Sequence, residues 1–261
     1  MELITALLGA LIGLVLGTIG AGGSMVAVPA LVFVVGLYAK EATTASLIIV
    51  GIIALGGMVA HLRAGRVRVG SGLMFGITGL GGSFGGSCIN RIIDPNILLL
   101  AFSVLMTIVA VSMLRRKSVR ADDDCADEVG LRASFRSWRG ATKLLALGTA
   151  VGFMAGFFGV GGDIVLVPAL SLVMAFSMRV AIGTSLLVIA FNSAVALTFR
   201  LGLQQEVPWE PVIYFTLAGL IGAVVGSLVA GRVRSQLQAK GFGVVILLIA
   251  GYTAVQSIRE L

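Results

Sequence analysis

Gly17-Thr-Ile-Gly-Ala-Gly-Gly-Ser-Met-Val-Ala-Val-Pro-Ala-Leu31 returns 139 residues later as Gly156-Phe-Phe-Gly-Val-Gly-Gly-Asp-Ile-Val-Leu-Val-Pro-Ala-Leu170, identical at nine of fifteen positions. Four glycines within seven residues make a continuous helix costly, because glycine carries the largest backbone entropy into a helix. Both copies stand inside apolar sequence, so the chain predicts two interrupted helices in a setting where backbone groups must find partners. Pro29 and Pro168, six residues past the last glycine of each copy, lie within the segment after the break, where they would bend or end it.

That setting is a membrane. With 58% hydrophobic and 12% charged residues, the chain has too little polar surface for a soluble globule. Apolar tracts of about 20 residues, enough to cross a hydrocarbon core of about 30 Å, run at about 2–19, 42–61, 70–90, 96–114, 142–158, 180–199, 211–231 and 241–258. The pieces 24–37 and 163–177 are too short to span. The first tract opens Met1-Glu2 without the basic residues of a secretory leader and is expected to be a retained helix. Cys88 lies in a tract and Cys125 in a charged loop, so no disulfide between them is expected. The net charge of +7 comes from loops between tracts without a nucleic-acid motif, so no nucleic-acid partner is expected.

The duplication reaches beyond the breaks. Gly9, Gly13 and Gly17 match Gly148, Gly152 and Gly156; Ala42 and Ser46 match Ala181 and Ser185; Gly79, Gly82 and Gly86 match Gly219, Gly222 and Gly226. This predicts a first transmembrane repeat at 1–114, a hydrophilic linker at 115–141 and a second repeat at 142–261. Seven arginines and lysines between Arg115 and Arg139 place the linker in the cytoplasm. For the stretch holding Leu131, Phe135 and Trp138, an interfacial amphipathic helix and a solvated linker both stay open.

Loop charges set the relation between the repeats. Arg63, Arg66 and Arg68 join the second and third long tracts of the first half, whereas the matching loop 200–210 has Arg200 beside Glu206 and Glu210. In the second half the load moves one loop on, to Arg232, Arg234 and Lys240. Equivalent loops therefore face opposite sides, with both termini external. The expected fold is all-α and polytopic: two inverted repeats, each with a broken, re-entrant helix plus full transmembrane helices, about eight long helices and two half-helices in all. Secondary transporters use this plan and bind substrate where the halves meet.

An unwound turn exposes N–H groups at the start of the next half-helix, and these with the positive dipole end suit an anion. The candidate substrate-binding residues are Gly20, Gly22, Gly23, Ser24, Gly159, Gly161, Gly162, Asp163, Thr184, Ser185 and Asn192. The ladders Gly9, Gly13, Gly17 and Gly82, Gly86 read instead as helix-packing seams. Asp163 stands where the first half has Ser24; a proton-coupling carboxylate and a helix cap are both open readings. Thr44, Ser46, Thr184, Ser185 and Asn192 could line a pathway or bond between helices. His61, beside Arg63 and Arg66 at a tract end, is expected at the membrane interface. Gly81-Gly-Ser-Phe-Gly85 fits a hydrolase pattern but sits in a membrane tract, so no enzyme is expected. One histidine and two distant cysteines suggest no metal site, no cofactor is implied, and without a Walker A sequence ATP-driven pumping is unsupported.

The paired G-x-x-G-x-G-G-x-x-x-x-V-P-A-L segments, with Ala181-Ile-Gly-Thr-Ser-Leu-Leu187 and the glycine ladder of the third tract, resemble the TauE/SafE family of membrane permeases, the sulfite exporters. The resemblance implies an inner-membrane transporter of small anions such as sulfite or sulfoacetate. It carries onto Gly20, Gly22, Gly23, Gly159, Gly161, Gly162, Pro29, Pro168, Thr184 and Ser185. Typical members often have a third glycine where this chain has Ser24 and Asp163, which leaves the substrate open. The expected function is export of a small sulfur-containing or organic anion, with protons as a coupling partner. An anion channel and a membrane scaffold or assembly protein are the alternatives.

Overall fold

The computed structural model describes residues 2–21, 23–90, 92–93, 95–115, 138–158, 163–174, 176–201, 209–233, 236–244, 246–247 and 251. Everything regular among them is helical. The helices are α1 (Glu2–Ile19), α2 (Gly23–Phe33), α3 (Ala39–Arg63), α4 (Val69–Asn90), α5 (Pro95–Arg115), α6 (Trp138–Phe158), α7 (Asp163–Pro168), α8 (Met178–Leu201) and α9 (Trp209–Arg232), and residues 236–244 are also helical. The chain is an all-α membrane protein. α3, α8 and α9 are each long and apolar enough to cross a bilayer. The linker residues 116–137, with the stretch expected as an amphipathic helix, fall outside the described residues.

The first break falls where the glycines cluster: α1 stops at Ile19 and α2 starts at Gly23, with Gly20 and Ala21 outside helix. In the second repeat α6 is described to Phe158 and α7 from Asp163, and 159–162 lie outside the described residues. The half-helices also end alike. Val35 N–H donates to the Ala30 carbonyl at 3.3 Å and Leu37 N–H to Leu31 at 3.1 Å. Their counterparts 139 residues on, Met174 to Ala169 and Phe176 to Leu170, measure 3.4 and 3.3 Å. The prolines behave differently. α2 continues past Pro29 to Phe33, whereas Pro168 ends regular α-helix and a π-helical turn follows over Ala169–Val173. A missing N–H disturbs the i to i−4 ladder, and a wider turn is one way to absorb it.

The helices collect into two compact units, each drawing on both sequence repeats. Unit 1 is Met1–Gly76 with Arg179–Arg232, and unit 2 is Ile77–Met178 with Val233–Leu261. Unit 1 therefore holds α1, α2 and α3 from the first repeat and α8 and α9 from the second.

Inside unit 1 the registers give α1, α3, α8, α9 and the start of α4 their relative directions. A Cβ added to Gly9, Gly13 or Gly17 would strike the backbone of Phe215, Gly219 or Ala223, so α1 and α9 run parallel. On α3, Gly56 meets Leu220 and Gly57 meets Ala223, again parallel to α9. α8 runs the other way along α3, with Gly51 beside Ser193 and Gly57 beside Leu186. The start of α4 follows α8, since Gly72 meets Leu187 and Gly76 meets Phe191. The repeat equivalents α3 and α8 are thus antiparallel, and so are α4 and α9. This is the inversion that the loop charges imply.

The glycine ladders are packing seams in both units. In unit 1, Gly9, Gly13 and Gly17 of α1 meet α9, and Gly222 and Gly226 of α9 reach back to the backbone of Ala10 and Leu14. In unit 2, Gly82 and Gly86 of α4 meet Thr149 and Phe153 of α6, while Gly152 and Gly156 of α6 meet Gly79 and Ser83. Because α6 is the repeat of α1 and α9 the repeat of α4, each seam pairs the opening long helix of one repeat with the third long tract of the other. Small residues let the backbones approach closely, which is what drives helix association where lipid removes the hydrophobic advantage.

Candidate functional site

The described break lies in unit 1, where the C-terminal end of α1 meets the N-terminal third of α8 and the last turn of α3. Gly20 takes φ of +72°, a left-handed conformation in which L side chains are strained. Space forbids a side chain there as well, because a Cβ would lie 2.8 Å from the Ile182 side chain and 2.9 Å from the Ser185 hydroxyl. Gly20 N–H still closes the α1 ladder onto Leu16 at 2.7 Å.

The last carbonyls of a helix lack intrahelical donors, and inside a membrane protein they need partners. Two side chains supply them here. The Ser185 hydroxyl lies 2.7 Å from the Gly20 carbonyl and 2.8 Å from its own-helix Ile182 carbonyl, sharing its proton between them. His61 Nε2 lies 3.3 Å from the Gly17 carbonyl. A third bond ties the next turn to the same place: Arg68 N–H donates to Thr184 Oγ1 at 3.1 Å.

α8 can serve this role because its N-terminal third is enclosed by protein: residues 180–186 are all buried, and Thr184 and Ser185 are 0% accessible. Gly183 lets the α3–α4 turn rest on it, since a Cβ there would lie 2.5 Å from the Arg66 carbonyl and 3.1 Å from His61 Cβ. That turn is itself shaped by Gly65 (φ +70°), with Arg66 N–H donating to the His61 carbonyl at 3.0 Å.

The structure thus brings Gly20, Gly23, Thr184 and Ser185 into one neighbourhood. Gly23 is the buried first residue of α2, and a Cβ on it would press on the Leu16 side chain. Asn192 stands two helical turns along α8 from Ser185, about 10 Å by helical rise, and its buried Oδ1 has no hydrogen-bond partner among the described residues. Thr44 and Ser46 are buried near the opposite end of α3, and Ser46 bonds to the Thr43 carbonyl at 2.9 Å. Gly22, Gly159, Gly161 and Gly162 fall outside the described residues, as do the side chains of Ser24 and Asp163. Asp163 stands at the first position of α7, where a helix-starting residue belongs.

His61 is the residue whose packing sequence reasoning missed. Neighbouring arginines suggest an interfacial side chain, yet it is 1% exposed and turned onto the break. Its register was the available signal: His61 lies four residues past Gly57 on the face that packs against α8 and α9.

Interrupted helices, inverted repeats and a buried polar turn against the break define a class: polytopic α-helical membrane proteins on the secondary-transporter plan. Residues 5–253 match the family model described as sulfite exporter TauE/SafE, and the chain belongs to the TauE/SafE family. A "Probable membrane transporter protein" of Xylella fastidiosa (strain Temecula1) is 31% identical over 95% of this chain and 93% of its own. The "Probable membrane transporter protein YunE" of Bacillus subtilis (strain 168) is 26% identical over 98% of this chain and 97% of its own. The protein is a membrane transporter and not an enzyme.

Proposed function

We propose that the chain is a secondary transporter exporting a small sulfur-containing or organic anion, such as sulfite or a sulfonate, across a bacterial inner membrane. The observation that carries the reading is how the first break is capped. Ser185 and His61 occupy the carbonyls at the end of α1, which neutralises the acceptor side of the interruption. The first N–H groups of α2 remain, by helix geometry, without intrahelical acceptors, and their dipole end favours negative charge. The second break supplies the same chemistry from Gly159, Gly161 and Gly162, with Asp163 as a candidate proton carrier. Thr184 and Ser185 hold the break in shape, and Asn192 offers an amide to the pathway. The linker is cytoplasmic and the termini external in this proposal.

The test is flux in proteoliposomes with sulfite, thiosulfate, sulfoacetate and simple carboxylates, with and without a pH gradient. Saturable anion flux supports the reading. Movement of neutral or cationic solutes alone would sink it, and single-channel currents would replace the carrier with a channel.

A further inference from the structure

Among the described residues, His61 is the one titratable side chain in the buried core. Its surroundings assign its tautomer. A carbonyl can only accept, so the Gly17 oxygen at 3.3 Å requires the proton of a neutral ring to sit on Nε2. Nδ1 then presents a bare lone pair. That atom is buried and has no hydrogen-bond partner among the described residues, an arrangement that ordinarily costs stability.

The ring is confined between the break and the α8 turn that holds it, with Gly183 giving it room. The helix faces around it are uncharged: residues 16–20 of α1, 182–186 of α8 and 219–227 of α9 contain no titratable side chain. The charged group acting on it is Arg66 in the α3–α4 turn, and the guanidinium of that arginine lies over Gly231 of α9.

We propose that His61 Nδ1 is a proton site of the transport cycle, taking up one proton with each substrate anion bound at the first break. This rests on the anion-transport reading above. A neutral ring presents only a lone pair at Nδ1, which disfavours an anion's oxygen nearby; a protonated ring offers an N–H and a positive charge instead. Nε2 keeps its bond to Gly17 in both states, so the exchange needs no ring flip. The proton comes from solution on the loading side and leaves to solution on the releasing side, so one anion and one proton cross together.

The chain contains a single histidine, which makes the test direct. Full-length protein purified through a histidine-free tag, labelled with 15N-histidine and placed in nanodiscs, gives one imidazole signal to follow against pH with and without saturating sulfite, thiosulfate or sulfoacetate. The expected result is a neutral ring protonated on Nε2 at high pH and a titration midpoint that rises with bound anion. A rise of about one unit corresponds to about tenfold tighter anion binding in acid, because the linkage is reciprocal. A midpoint unmoved by a bound anion, or a neutral ring protonated on Nδ1, would overturn the proposal.

Flux gives the second arm. His61→Gln keeps a neutral N–H for the Gly17 carbonyl but cannot take up a proton. Wild-type vesicles under a pH gradient of about one unit should accumulate anion about tenfold for one proton per anion. His61→Gln should exchange anion more slowly and accumulate it less than about twofold, since the steady-state ratio reflects stoichiometry and not rate. Full accumulation in His61→Gln with loss in Asp163→Asn assigns the proton to Asp163 and overturns the proposal. Wild-type exchange that ignores the pH gradient overturns the proton site alone, whereas wild type without any anion exchange removes the anion-transport reading with it.

Discussion

Gly13→Ala adds one methyl group to a seam that has no room for it. The new Cβ would lie 2.6 Å from the Gly219 carbonyl carbon and 2.8 Å from its Cα, against 3.4 Å for ordinary contact. The obstacle is backbone, so no rotamer change relieves it. The Gly219 carbonyl oxygen lies closer still, so α1 and α9 would have to separate by at least 3.4 minus 2.6, about 0.8 Å, along a seam where Gly9 and Gly17 make the same approach. A gap of about 0.5–1 Å forfeits roughly a quarter to a half of each dispersion contact across it. Overpacking of this kind costs about 1–3 kcal/mol, or a fall of roughly 2–12 °C in Tm at about 2–4 °C per kcal/mol for a chain this size. Gly152→Ala, the repeat equivalent in unit 2, meets the Gly79 backbone and should fall by a similar amount. Gly81→Ala is the control, because nothing lies within 4 Å of a Cβ there and alanine is the better helix former. Thermal unfolding of the three variants by size-exclusion fluorescence in one detergent decides the matter. Equal midpoints for Gly13→Ala and Gly81→Ala would refute the seam.

Two further outcomes follow from the break and the inversion. Ser185→Ala strips a 2.7 Å bond from the buried Gly20 carbonyl and should cost about 1–3 kcal/mol of stability; an unchanged unfolding midpoint with a raised KM would make Ser185 a substrate ligand instead. Because α3 and α8 run antiparallel, single cysteines at Ala64 and Gln204 in a background lacking Cys88 and Cys125 should label from opposite sides of the membrane; labelling from one side contradicts the inversion.

Much of the helix plan was legible in the sequence. The tracts at 42–61, 70–90 and 96–114 became α3, α4 and α5 with their ends moved by only a few residues, since a bilayer demands about 20 apolar residues whatever they pack against. The first break fell where the glycines cluster because backbone entropy is a local property. The prolines were only half readable: both sit in half-helices as expected, but whether the ladder continues past Pro29 or widens after Pro168 depends on neighbours that no motif records. The inward packing of His61 was missed for a related reason. Proximity in sequence to Arg63 and Arg66 suggested the interface, while helical register turned the ring inward onto the break.

The sequence by itself determined that the chain is apolar, duplicated, inverted and twice interrupted, because composition, glycine density and loop charge each act without reference to distant residues. Only the tertiary structure decided which copies pair. Each seam joins α1-type glycines of one repeat to α4-type glycines of the other, so neither compact unit is a single repeat. The physical reason is direction. Inversion turns the third long tract of each repeat parallel to the opening helix of the other, and that lets two glycine ladders meet in register.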